Sequence, residues 1–211
     1  MNKFLTLVIS AVSIFAFGQH QVGIKSGVGF SQITNTAETG RLGLYLAANY
    51  GFKLGNNWIL SSGIEYEEKG DKHQYSWMDM DGGRFDSESE FEMSYYSLPL
   101  SIGYQFGDRF FGSVHIGLVG RFLGKGNRYY EVYQNDELFS RFSNDLKDEI
   151  IRFDIGGLLE LKGGYAFNDR HAISLVARIN HGFMNIYKLP TLPPPVRNRG
   201  GVLAVGYTFN L

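Results

Sequence analysis

The side chains of this 211-residue chain that could carry chemistry fall into three groups, and spacing decides what each could do. Ser101, Ser113, His115 and Glu65 all fall on the same face of extended, alternating segments. They are the residue types of a serine–histidine–acid site for acyl transfer. A lipid hydrolase or acyltransferase needs that set near the membrane surface, whereas these four lie in mid-segment. His73, His171 and His181 have no serine partner at a telling spacing, so a lipid-modifying enzyme is the lesser of three functional readings. The second group is acidic. Asp79, Asp81, Asp86, Glu88 and Glu90 are weak candidates for a divalent cation, because closely set carboxylates suit hard ions. Asp79-Met80-Asp81-Gly82-Gly83 opens like a calcium loop but lacks its full spacing, and a solvated acidic surface is the simpler expectation.

The third group is the most regular. Lys25, Lys53, Glu65, His115, Arg121, Arg152, Asp154, Glu160, Lys162 and Arg178 stand on one face of period-2 patterns whose other face is mainly apolar. Such alternation means β-strand, since successive side chains point to opposite faces. The clearest case is residues 150–186. Ile151, Phe153, Ile155, Leu159, Leu161, Tyr165 and Phe167 share one face, and Arg152, Asp154, Glu160 and Lys162 the other. After Asn168-Asp169-Arg170 the pattern resumes, with Ile173, Leu175, Ala177 and Ile179 against Ser174, Val176, Arg178 and Asn180. A three-residue turn places residues summing to 338 opposite one another, so Glu160 faces Arg178. Charges mixed with glycine suit a crowded polar interior, and a sealed interior requires its charges to be paired. The apolar face then looks at lipid.

The same inversion recurs along the chain. Residues 21–32, 41–53, 58–66, 94–106, 110–123 and 200–211 supply six more alternating segments, making eight with the hairpin. Leu42 to Phe52, Trp58 to Tyr66 and Tyr96 to Phe106 all place their even-numbered apolar residues outward. Pro99 conflicts with a strand, because proline cannot donate to the ladder. Connections after the second, fourth and sixth segments are three or four residues, and the others about 8, 27, 26 and 14 residues. That is the asymmetry of short periplasmic turns and long extracellular loops. Tyr50, Phe52 and Trp58 below, and Tyr66, Tyr95 and Tyr96 above, are expected to form the interfacial aromatic girdles. The expected fold is all-β: an eight-stranded antiparallel up-and-down transmembrane β-barrel with long extracellular loops.

Composition agrees with this. Gly 27, Tyr 13 and Phe 17 are high counts, and a net charge of −1 implies no nucleic-acid partner. Cys 0 excludes disulfides, thiolate metal sites and a lipidated cysteine, and no cofactor is expected. Residues 1–18 read as a cleaved secretory signal, with Lys3 before the apolar run Phe4 to Phe17 and small residues near Gly18. Residues 19–211 are then a single barrel domain in the outer membrane.

The chain resembles the PorT-like outer-membrane β-barrel family of Bacteroidetes over essentially its whole mature length. The likeness rests on Val22-Gly23-Ile24-Lys25-Ser26-Gly27, Tyr96-Ser97-Leu98-Pro99-Leu100, the run from Asn180 to Ile186, and the terminal Gly206-Tyr207-Thr208-Phe209. The resemblance implies a proline in the fourth strand and an association with protein export. The expected function is a non-enzymatic structural or interaction module at the cell surface. Its partners would be outer-membrane lipid and other envelope proteins met through the loops. In the loop at 124–149, Tyr129, Tyr130, Tyr133, Phe139 and Phe142 suit protein contacts, and Asn135-Asp136 suits the turn of a small hairpin. Lys188, Arg197 and Arg199 near the upper rim suit lipid phosphates. The alternative is a narrow channel for ions or small solutes. An eight-stranded barrel is just wide enough to be filled by side chains, so the charges read first as a structural plug.

Overall fold

A computed structural model describes residues 19–33, 39–79, 83–134, 137–188 and 196–211. The signal at 1–18, Asp81 and the Asn135-Asp136 turn lie outside the described residues.

Alternation produces the strands β1 (Gln19–Ile33), β2 (Thr39–Leu54), β3 (Trp58–Met78), β4 (Arg84–Phe106), β5 (Phe110–Gln134), β6 (Glu137–Asp145), β7 (Phe153–Ala166), β8 (His171–Gly182) and β9 (Asn198–Asn210). Eight of them close a ring in the order β1-β2-β3-β4-β5-β7-β8-β9, with β9 paired back onto β1 and every pairing antiparallel. Closure removes the sheet edges, which is what allows a sheet to sit in hydrocarbon. These eight are the segments legible in the sequence, and β6 is an addition that pairs with β5.

The side chains are inverted relative to a soluble barrel. Ile24, Leu42, Ile64, Leu98, Ile116, Leu175 and Leu203 are exposed, while Lys25, Glu65, Arg121, Glu160 and Arg178 are buried. A wide apolar exterior of this kind would drive aggregation in water and is stable against acyl chains. Aromatic rings border it at both ends. Near the short turns Trp58 meets Tyr104 edge-on at 5.2 Å, and Phe110 meets Tyr165 at 4.9 Å. Near the other end Tyr66 lies 5.7 Å from Tyr96, and Phe122 5.0 Å from Phe153. Two expected girdle members are elsewhere. Tyr95 points inward and is buried, because it shares parity with Ser97, and Phe52 is buried on the outer face beside the His20 ring at 5.4 Å.

Glycine makes two of the three short turns: Gly55 and Gly107 take φ of 69° and 78°, a region costly for other residues. Pro99 is accommodated without moving the register. The β3–β4 ladder runs to Ser62↔Leu100 and resumes at Glu65↔Ser97, stepping over the proline, while the β4–β5 ladder runs through Pro99↔Val119. The Ser62 hydroxyl donates to the Pro99 carbonyl at 2.9 Å.

Above the membrane the structure corrects the sequence reading. Residues 67–78 and 84–93, expected in a loop, continue β3 and β4 as one ladder out to Met78↔Arg84. In residues 124–149 the end of β5 and all of β6 pair antiparallel down to Gln134↔Glu137, as the small hairpin expected there. Together they form a four-stranded sheet that projects beyond the barrel. At its base Phe91, Met93 and Tyr95 of β4 pack with Leu146, Ile150 and Ile186 into a buried apolar cluster. It closes the outer mouth.

Candidate functional site

Strand pairing decides which buried charges meet. The β7–β8 register places Glu160 opposite Arg178, and the β5–β7 register places Glu160 opposite His115. The Arg178 Nε donates to Glu160 Oε2 at 2.8 Å, and its Nη1 reaches across the lumen to Glu65 Oε2 at 2.7 Å. Glu160 Oε1 also accepts from Lys25 Nζ at 2.9 Å and lies 3.2 Å from Lys162 Nζ. The Tyr45 hydroxyl donates to Glu65 Oε1 at 2.9 Å, and the Arg178 guanidinium lies 5.5 Å from the Tyr45 ring centre. Five strands are thereby tied at one level. Beside them Tyr45, Ala47, Val176, Val202 and Ala204 fill the lumen with apolar volume.

A second charged level lies closer to the outer mouth. Lys69 Nζ donates to Glu67 Oε1 at 2.8 Å and to Asn180 Oδ1 at 3.2 Å. Arg121 Nη1 donates to Asp154 Oδ2 at 3.0 Å, and Asn198 Nδ2 donates to the Tyr95 hydroxyl at 3.3 Å. Asp71 is buried beyond them. Arg121 Nε and Nη2, Ser97 Oγ and Asp154 Oδ1 are buried without a protein partner, the surroundings in which ordered water bridges polar groups.

Of the lumen residues expected from sequence, Lys25, Glu65, Glu160, Lys162 and Arg178 share the lower level, and Arg121 and Asp154 the upper. Arg152 does not belong. It is exposed, because β7 begins only at Phe153 and the period-2 parity does not extend back to it. Lys53 lies near the short turns, at the wall of a cavity of about 1070 Å³ that opens at that end. Glu67, Lys69 and Asp71 are buried as well, in a stretch whose charge density points to a loop. Their signal was the unbroken alternation Glu65, Glu67, Lys69, Asp71 past Tyr66.

The hydrolytic residues come only partly together. Ser113 Oγ lies 3.1 Å from His115 Nε2, both buried on β5. Its Nδ1 has no partner and faces Gly103, where an added Cβ would stand 2.2 Å away. No acid orients the ring, and Glu65 is held instead by Arg178 and Tyr45. Ser101 is buried on β4 opposite Gly117.

The acidic candidates are dispersed on the projecting sheet. Asp79 Oδ1 accepts from the Gly83 amide at 2.6 Å. Asp86 accepts from Ser76 and from Arg84 Nη2 at 3.1 Å, and these hydrogen bonds hold its carboxyl below the usual aspartate range. Glu88 accepts from Gln74 at 2.7 Å, and Glu90 from Arg41 Nε at 2.8 Å. Among the described residues no three metal-ligating side chains gather as for an ion.

Comparison with known proteins agrees with this geometry. The sequence profile of the family described as "Outer membrane protein beta-barrel domain" matches residues 16–188. Among solved structures, Neisserial surface protein A is similar with a TM-score of 0.53 and 13% identity, covering 91% of this chain and 97% of that one. The attachment invasion locus protein Ail of Yersinia pestis gives a TM-score of 0.43 and 11% identity, covering 91% and 99%. No curated protein matches the chain. With most of its length inside that profile and a closed ring of outward-facing apolar strands, the chain belongs to the outer-membrane β-barrel family and is a protein of the outer membrane.

Proposed function

We propose that this barrel is a non-enzymatic surface module, anchoring a rigid sheet that meets other envelope proteins outside the membrane. The observation that carries the reading is the continuation of β3, β4 and β5 beyond the barrel, joined by β6, into a sheet carrying exposed Tyr75, Trp77, Met78, Leu138 and Phe139. Exposed aromatics on a rigid platform are the usual anchors of protein contacts. The interior supports the same reading from the other side, since two charged levels and an apolar cap fill the lumen where a conduit would run. The unoriented Ser113–His115 pair argues against hydrolysis. The PorT-like resemblance favours a partner belonging to a protein-export machine, and the signal at 1–18 would deliver the chain by cleavage and export.

A photo-crosslinking residue at Tyr75 or Phe139 in intact cells tests this. The expected result is a discrete protein adduct that disappears when Trp77 and Phe85, stacked at 5.6 Å, are both replaced by serine. Adducts to lipid alone, or none, would overturn the reading.

A further inference from the structure

We propose that the cavity opening at the periplasmic end of the barrel is a binding site for a small, water-soluble oxyanion. Three cations, Lys25, Lys162 and Arg178, face two carboxylates, Glu65 and Glu160, so the lower charged level keeps one positive charge in excess. Above it, Lys69 and Arg121 are matched by Glu67 and Asp154, with Asp71 beyond, so no spare carboxylate lies next to the excess. Three cations sharing two carboxylates in a low-dielectric wall are costly to hold, and an anion at their surface lowers that cost.

The excess is reachable from one side. Lys162, the least buried of the three cations, lines the inner end of the cavity, which is about 1070 Å³ and opens between the short turns. The apolar cluster on Phe91, Met93 and Ile150 shuts the opposite mouth. A solute therefore enters from the periplasm and leaves the same way. The walls set its body: Gln21, Asn49, Ser61, Ser174 and Thr208 present carboxamides and hydroxyls, and Asn49 Oδ1 has no protein partner. Asp108, Arg109, Asp169 and Arg170 alternate in sign at the rim and select no charge there. The selection is made at the blind end, where the amine of Lys162 meets the anionic head while the polar walls hydrogen-bond the remainder.

Calorimetric titration of inorganic phosphate into the refolded protein in a non-ionic detergent, at ionic strength fixed with chloride, tests the site. The expected result is saturable binding, weakened at least fivefold in Lys162→Gln and unchanged in Lys125→Gln, whose lysine lies on the projecting sheet. Glu160 keeps Lys25 and Arg178 in the first variant, so the barrel retains its pairing. Lys53→Glu, at a half-exposed wall position, is a second variant that spares the fold and weakens binding severalfold. Absence of saturable phosphate binding, or equal binding by wild type, Lys162→Gln and Lys53→Glu, would overturn the proposal.

Discussion

Arg178 shows most directly how one residue can hold several strands. It projects from β8, pairs with Glu160 on β7 and reaches Glu65 on β3 across the lumen. Removing it leaves two buried carboxylates with fewer donors, and breaking a buried pair costs about 3–5 kcal/mol. Arg178→Ala is therefore expected to lower the unfolding free energy of the refolded barrel by that amount, read as a lower urea midpoint in detergent. Arg178→Lys should recover only part of the loss, because a single ammonium cannot present the separate Nε and Nη1 donors that serve two carboxylates. An unchanged midpoint in Arg178→Ala would remove this level from the account of stability. The partnership with Glu160 was legible from turn length alone. The one with Glu65 was not, since no local spacing reports which strands face each other across a closed ring.

At the scale of elements, the β3–β4 ladder is the feature the sequence reading cut short. Alternation persisted beyond Tyr66, but charge density rose, and charge-rich segments read as loops. The ladder holds because cross-strand partners match donors to carboxylates: Gln74 with Glu88, Ser76 with Asp86 and Lys72 with Glu90, while Arg41 on β2 adds ion pairs to Glu90 and Glu92. Asp86 gives the tip a pH dependence whose sign follows from its depressed value. Its contribution is present above the unfolded aspartate pKa of about 3.9 and is lost as pH falls through the lower folded value. Hydrogen exchange of the amides near Trp77 and Phe85 is expected to accelerate below about pH 4 relative to the barrel amides. Ser76→Ala, which removes the principal hydrogen bond, should raise the pH at which the tip loosens. Equal exchange profiles for the two proteins would show that Asp86 does not steady the tip. Pro99 belongs to this scale as well. Its missing N–H interrupts pairing with β3 alone, and the strand survives because β5 holds its other side.

For the whole molecule, the filled lumen and the capped mouth make a prediction about transport. Planar bilayers containing the refolded barrel are expected to show no steady conductance in either polarity above the lipid background. Removing Arg178 should not open a pore, because the apolar cluster at the outer end stays in place. A resolved single-channel current in the wild-type protein would revive the channel reading and displace the plug.

The sequence by itself determined the strands, their two faces and the order of short and long connections, because period-2 alternation and turn chemistry are local properties. It also determined the Glu160–Arg178 pairing, since a hairpin's register follows from its own turn. The tertiary structure alone decided that Glu65 and Lys25 join that pair, that the projecting strands join into one sheet, and that distant residues cap one mouth and leave the other open. These depend on ring closure, which brings together strands far apart in the chain and is written in no single segment.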